Sequence, residues 1–199
     1  MLRRTVYPYI QKAVDQAAGW LNRTGFTPNQ LTLAGLALSF AAGILFAYGW
    51  LIPGGLILIA SGLGDMLDGP LARLTGKASP FGAFLDSTVD RYADFFVLGG
   101  LALLFARTGE AVLLLLTLGS LAGSFVTSYT KARAENFIAA CSVGVFERAE
   151  RMILLILGTL LPPLLSLMLW VLCLGSNATA LQRLFYTKKK LSGEIPPSA

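Results

Sequence analysis

Long apolar runs separated by short polar breaks dominate the chain. From residue 29 onward the runs cover roughly 29–49, 53–74, 82–106, 110–133, 147–161 and 164–187. A helix needs about 20 apolar residues to cross the ~30 Å hydrocarbon layer of a bilayer, and most of these runs reach that length. The breaks between them are readable. Thr27-Pro28-Asn29-Gln30 is a helix start in which Thr27 caps, Pro28 fits the first turn and Gln30 completes a capping box. Pro53-Gly54-Gly55 opens the second run, and Pro162-Pro163 divides the fifth from the sixth. Residues 1–24 follow a different pattern. Val6, Ile10, Val14, Ala17 and Leu21 recur at helical spacing opposite Arg4, Lys12, Asp15 and Gln16, as in a helix lying on a membrane surface. The expected fold is therefore all-α and integral to the membrane. It has an amphipathic interfacial helix over 1–24, six transmembrane helices within 25–190, and a disordered cytoplasmic tail over 191–199.

Composition supports this reading. The 199 residues are 55% hydrophobic and 14% charged, with no histidine, and the mean hydropathy is +0.66. Those values fit one polytopic helical domain rather than a soluble one. Residues 1–23 lack the uninterrupted apolar core of a signal peptide. Cys141 and Cys173 stand far apart without a metal-ligand context, so a disulfide or zinc site is not expected. The net charge of +5 does not imply nucleic acid, because the basic residues sit at the ends of apolar runs. Anionic headgroups and phosphorylated substrates are the expected partners. Six spans put both termini on one side, with every Lys and Arg except Arg107. The positive-inside rule makes that side cytoplasmic, in a cell membrane.

The segment from Asp65 to Asp90 departs from the apolar background. Asp65, Asp68 and Gly69 share one face of the second run, and Gly82, Asp86, Asp90 and Asp94 form a stripe along the third. The short connection 75–81 is expected to make these two helices antiparallel neighbours with their stripes facing. A carboxylate at mid-membrane costs roughly 2.5–3.5 kcal/mol, so four uncompensated ones cost on the order of 10 kcal/mol. Divalent cations would offset that cost, and all-oxygen ligands without histidine or thiolate favour Mg²⁺ or Mn²⁺. Two other readings stand beside this one. The carboxylates could be helix-binding ion pairs with Arg73 and Arg91, or they could line the pathway of a cation transporter. Asp94 lies one turn beyond the others and is expected to pair with Arg91 or Arg73.

The spacing D-x2-D-G-x2-A-R-x8-G-x3-D-x3-D is complete in this chain and resembles that of the CDP-alcohol phosphotransferases. The resemblance implies transfer of a substituted phosphate from a CDP-linked lipid to an alcohol, with release of CMP. It implies that Asp65, Asp68, Asp86 and Asp90 hold two metal ions and that Asp90 is the base for the acceptor hydroxyl. Gly69, Ala72, Arg73 and Gly82 would cradle the CDP moiety, with Asn29 and Thr32 lining its nucleotide side. A homodimer is implied as well. No fused cytidylyltransferase domain is seen, so the activated donor is expected from elsewhere.

Two further segments bear on the acceptor. Ser128-Tyr129-Thr130-Lys131-Ala132-Arg133-Ala134-Glu135 and Glu147-Arg148-Ala149-Glu150-Arg151 place basic clusters at the ends of neighbouring helices. Such clusters suit a phosphate dianion. They resemble the branch that accepts inositol phosphate, the phosphatidylinositol phosphate and archaetidylinositol phosphate synthases. That likeness implies that Lys131, Arg133 and Arg151, joined by Arg183, hold the acceptor phosphate. Glycerol 3-phosphate carries the same group and is the alternative acceptor.

Overall fold

The computed structural model describes residues 16–23 and 25–193, and no strand occurs among them. Residues 16–23 are helical; the rest of the expected surface helix, and residues 194–199 of the expected tail, lie outside the described residues. Six helices follow: α1 (Pro28–Ala47), α2 (Leu51–Leu74), α3 (Pro80–Thr108), α4 (Ala111–Ala134), α5 (Arg148–Leu160) and α6 (Leu165–Leu191). Their order and limits match the six apolar runs to within a few residues.

Local chemistry explains the starts and stops. Thr27 caps α1 through the expected box: its backbone N–H donates to Gln30 Oε1 at 2.9 Å, and its Oγ1 accepts from the Gln30 N–H. Ser79 caps α3 by accepting from the Gly82 N–H at 3.0 Å, with Pro80 at the first position. Gly109 ends α3 in the left-handed conformation, φ 77°. Within α2, Pro70 has no N–H to give to the Met66 carbonyl, so the helical bonding is interrupted beside the acidic motif.

Four segments are long and apolar enough to cross a membrane: Pro28–Ala47, Leu51–Leu74, Ala111–Ala134 and Pro162–Leu191. The last joins the short 3-10 turn Pro162–Leu164 to α6. α3 has the length but carries Asp86, Asp90, Arg91 and Asp94, and α5 has only 13 residues.

The main packing contacts close a ring in the order α1, α3, α4, α6, α5, α2 and back to α1. α1 and α3 meet backbone to backbone. A Cβ on Gly43 would collide with the Phe96 carbonyl, and one on Gly100 would collide with Gly43 itself. Small residues at a crossing permit this approach, which is how apolar helices associate where burial from water offers no driving force. A core of Phe46, Leu58, Leu98, Leu101, Leu169 and Leu172 fills the ring towards the end where α1 finishes.

The expectation that α2 and α3 pack as direct neighbours is not met. Among the described residues they share no extended interface, because α1 packs on both and holds them apart. The acidic stripes therefore face one another across a gap, at the end of the ring where α1, α3 and α5 begin and α2, α4 and α6 finish.

Candidate active site

One end of the ring carries the chemistry. α2 supplies Asp65 and Asp68 and α3 supplies Asp86, and one oxygen of each lies within 4.8 Å of the others. Two oxygens bound to the same ion are separated by at most twice the metal–oxygen distance, about 4.2 Å for Mg²⁺ and ~5 Å for larger hard cations. The triad thus needs little or no closure to hold one ion, and hard carboxylates in a chain without histidine fit a divalent cation. Asp68 is oriented from α1: buried Thr32 donates to its Oδ2 at 2.8 Å.

Asp90 stands one turn further along α3, outside this triad. Its Oδ2 is 3.3 Å from Arg91 Nη1 and its Oδ1 is 2.9 Å from Arg148 Nη1. The same Arg148 nitrogen also reaches Asp65 Oδ2. Arg148, absent from the residues expected at the site, therefore bridges α5 to both acidic helices.

Two cavities flank the carboxylates. The first, of about 230 Å³, is lined by Asn29, Thr32, Asp68, Gly69, Ala72, Arg73, Lys77, Gly82 and Asp86, among others. All six residues expected to hold the CDP moiety are in this wall. Lys77 is an addition that the motif did not flag, although it follows the motif's own helix by three residues. Gly82 matters by its size: a Cβ there would lie 3.2 Å from Ser79 Oγ and 3.6 Å from Asn29 Oδ1, inside the cavity.

The second cavity, of about 260 Å³, lies between α3, α4, α5 and α6 and has Asp90 in its wall. Arg91, Lys131, Arg148, Arg151 and Arg183 give it a net positive lining, with Asp90, Glu135 and Glu147 the acidic members. Three of the four residues expected for the acceptor phosphate meet here. Arg133 does not line the cavity; it is exposed, with its guanidinium 4.8 Å from the ring centre of Phe137.

The segment between α4 and α5, residues 135–147, folds back against α6 and contacts the basic wall. Arg183 is buried and donates to Val143 O at 2.9 Å, Thr127 O at 2.8 Å and Glu147 Oε1 at 3.1 Å. The Phe146 N–H donates to Thr179 Oγ1. Glu147 also faces Lys131 Nζ at 3.8 Å.

Asp94 corrects one expectation. Its partner is Arg151 of α5, at 3.0 Å, together with the hydroxyl of Ser124 on α4, rather than Arg91 or Arg73. Arg91 instead donates to Ser87 O and approaches Asp90. The reason is rotational: along α3 Asp94 faces α4 and α5, while Arg73 lies at the far edge of the donor-side cavity.

Comparison with known proteins agrees with this geometry. The family model for CDP-alcohol phosphatidyltransferase matches residues 26–181. The chain belongs to that family. The match covers every helix of the ring up to the middle of α6 and makes the protein a transferase; with its apolar helices it is a multi-pass membrane protein. Archaetidylinositol phosphate synthase of Pyrococcus horikoshii is 35% identical over 187 residues, 94% of this chain and 96% of that one. A crystal structure of Mycobacterium tuberculosis phosphatidylinositol phosphate synthase with CDP-DAG bound superposes with a TM-score of 0.81 at 36% identity, covering 88% of this chain and 94% of that one. A second structure of the same enzyme, in complex with manganese and citrate, has a TM-score of 0.81 at 37% identity, with 87% and 88% covered. The acidic cluster and the manganese complex agree on divalent-metal binding.

Proposed function

We propose that this CDP-alcohol phosphatidyltransferase transfers the phosphatidyl-type group of a CDP-linked lipid, CDP-diacylglycerol or its ether counterpart, to a hydroxyl of an inositol phosphate in phospholipid synthesis. The observation that carries the choice of acceptor is the second cavity: a space of about 260 Å³ with five basic side chains and Asp90 in its wall. Carboxylates already pair with these bases, but the bases outnumber the acids in the wall, and a phosphate supplies the further negative charge that a neutral alcohol would not. The names of the relatives point the same way.

The reaction needs an acceptor oxygen to attack the phosphorus attached to the lipid, while the phosphorus–oxygen bond to CMP breaks. Asp90 is the base, taking the hydroxyl proton as the new bond forms; its place in the acceptor cavity's wall, one turn along α3 from Asp86 in the donor-side wall, suits that role. Lys131, Arg151 and Arg183 hold the acceptor phosphate, and Asp94 positions Arg151. Asn29, Thr32, Gly69, Ala72, Arg73 and Gly82 hold the CDP moiety, with Lys77 at the diphosphate. Asp65, Asp68, Asp86 and Asp90 would hold two Mg²⁺ or Mn²⁺ ions, which when bound neutralise the diphosphate oxygens and stabilise the departing CMP. Thr32 orients Asp68 for this purpose.

All six helices lie in the bilayer in this reading, with α3 and α5 each flanked by two of the four apolar spans. Among the described residues Arg107 is the one Lys or Arg at the end opposite the site, and this asymmetry supports a site and chain ends that face the cytoplasm at the cell membrane. A homodimer is part of the proposal on the family resemblance.

The test is CMP release by purified protein supplied with CDP-diacylglycerol and Mg²⁺, comparing inositol 1-phosphate with glycerol 3-phosphate. Faster release with the inositol ester supports the proposal. Preference for glycerol 3-phosphate would move the chain to the glycerophosphate branch and leave the aspartate chemistry intact.

A further inference from the structure

Two adjacent residues at the start of α5 face opposite sites. Arg148 reaches Asp65 and Asp90, where cations are expected. Glu147 reaches Lys131 and Arg183, where the acceptor phosphate is expected. Each side chain carries the same sign of charge as the ligand that its partners would bind.

The quality of these pairings is uneven in an informative way. One Arg148 nitrogen serves both carboxylates, while Arg148 Nε is a buried donor with no acceptor and Asp90 Oδ1 lacks an aligned hydrogen bond. A guanidinium locked to a carboxylate uses two parallel bonds instead. Glu147 is half exposed, with 53% of its side chain accessible, and its contact with Lys131 is a loose 3.8 Å. By contrast the neighbouring Asp94–Arg151 pair is buried on both sides and completed by Ser124. Arg148 thus neutralises its carboxylates without completing the hydrogen bonding, and Glu147 holds Arg183 by one hydrogen bond at 3.1 Å while meeting Lys131 only loosely.

We propose that Glu147 and Arg148 are positioning residues that couple the two sites, so that the divalent cation and the acceptor phosphate bind with positive cooperativity. The proposal rests on the acceptor-phosphate reading above. A divalent ion outcompetes a single guanidinium charge for the Asp65 and Asp90 oxygens. Arg148 is already part of the acceptor cavity's wall, so its release from the carboxylates adds positive charge where the phosphate arrives. The phosphate in turn takes Lys131 and Arg183 from Glu147. Because residues 147 and 148 are consecutive at one helix end, displacement of either side chain favours displacement of the other. Linkage then requires each ligand to tighten the other by the same factor.

The experiment measures Mn²⁺ affinity by electron paramagnetic resonance on the purified full chain, with and without saturating inositol 1-phosphate, and repeats it with inorganic phosphate. Wild-type protein should bind Mn²⁺ about fivefold or more tightly when the phosphate ester is present. Inorganic phosphate should give the same direction, because the shared chemistry is the phosphate group. Arg148→Gln should bind Mn²⁺ at least about threefold more tightly without phosphate and show coupling below about twofold, since the competing cation is gone. Glu147→Gln should raise phosphate affinity in metal-free buffer, and Arg148→Lys should retain part of the coupling. If Arg148→Gln unfolds, Glu147→Gln and Arg148→Lys decide the matter alone. Weaker Mn²⁺ binding by a folded Arg148→Gln protein, or a wild-type chain whose Mn²⁺ affinity ignores phosphate, would overturn the coupling. A wild-type chain that binds Mn²⁺ but neither phosphate would instead overturn the acceptor reading on which it rests.

Discussion

Replacing Asp94 by leucine would strand the guanidinium of Arg151 inside the helix ring. The pair is 3.0 Å apart, with 6% of the arginine side chain and 12% of the aspartate side chain exposed. An exposed pair of this kind is worth at most about 1 kcal/mol, and its loss would be hard to detect. Burial changes the magnitude. Removing one partner of a buried pair costs roughly 3–5 kcal/mol, because the remaining charge loses its counter-ion where access to water is small. For a chain of this size that corresponds to a fall of about 6–20 °C in melting temperature, read by thermal unfolding in detergent. Asp94→Asn keeps an acceptor for Arg151 and should lose about half as much. Asp94→Leu combined with Arg151→Leu should regain most of the stability, since apolar replacement of a buried pair is often neutral or better. The same double variant should still show a strongly raised KM for the phosphorylated acceptor, which separates a structural role for the pair from a role in binding. A melting temperature within 2 °C of wild type for Asp94→Leu would refute the argument that this contact is desolvated.

Other outcomes follow from the same geometry. Asp65→Asn or Asp68→Asn should abolish tight Mn²⁺ binding while the helical circular dichroism is unchanged, because each removes one of three oxygens that lie within 4.8 Å of one another. Lys131→Ala should raise the acceptor KM at least about tenfold, since it removes a charged partner of the phosphate, whereas Arg133→Ala should change it less than about twofold. Gly43→Leu should destabilise the chain by about 3 kcal/mol or prevent its assembly, because the new side chain meets the α3 backbone at Phe96, which cannot turn away.

The parts of this molecule that sequence could reveal are those fixed by short-range chemistry. Thr27 and Gln30 announce the start of α1 because a capping box is complete within four residues. Asp65, Asp68, Asp86 and Asp90 announce the site because helical periodicity tells which side chains share a face. Periodicity does not tell which distant helix that face meets. The pattern puts Arg148 in a basic cluster suited to a phosphate, and only the packing of α5 on α2 carries it to Asp65 and Asp90. The same limit explains Asp94, whose partner lies 57 residues away on α5 rather than one turn away on α3. The separation of α2 from α3 was hidden for a related reason. A short connection suggests neighbours, but the glycine contact between α1 and α3 puts α1 against both and leaves the gap in which the carboxylates face one another. The fold of residues 135–147 over α6 has no periodic signal, since it is held by hydrogen bonds to Thr179 and Arg183 and by the Phe146 ring against Gly175.

The central claim is that phosphoryl transfer takes place where the acidic triad, Asp90 and the basic cavity meet, with Asp90 taking the proton. The most direct measurement is CMP release from CDP-diacylglycerol and inositol 1-phosphate by wild-type and Asp90→Asn protein, with Mn²⁺ binding measured on the same samples. The account predicts that Asp90→Asn still binds Mn²⁺ at Asp65, Asp68 and Asp86 but releases CMP at least about 100-fold more slowly, the usual loss for a missing general base. Turnover near the wild-type rate by the Asp90→Asn protein would contradict it.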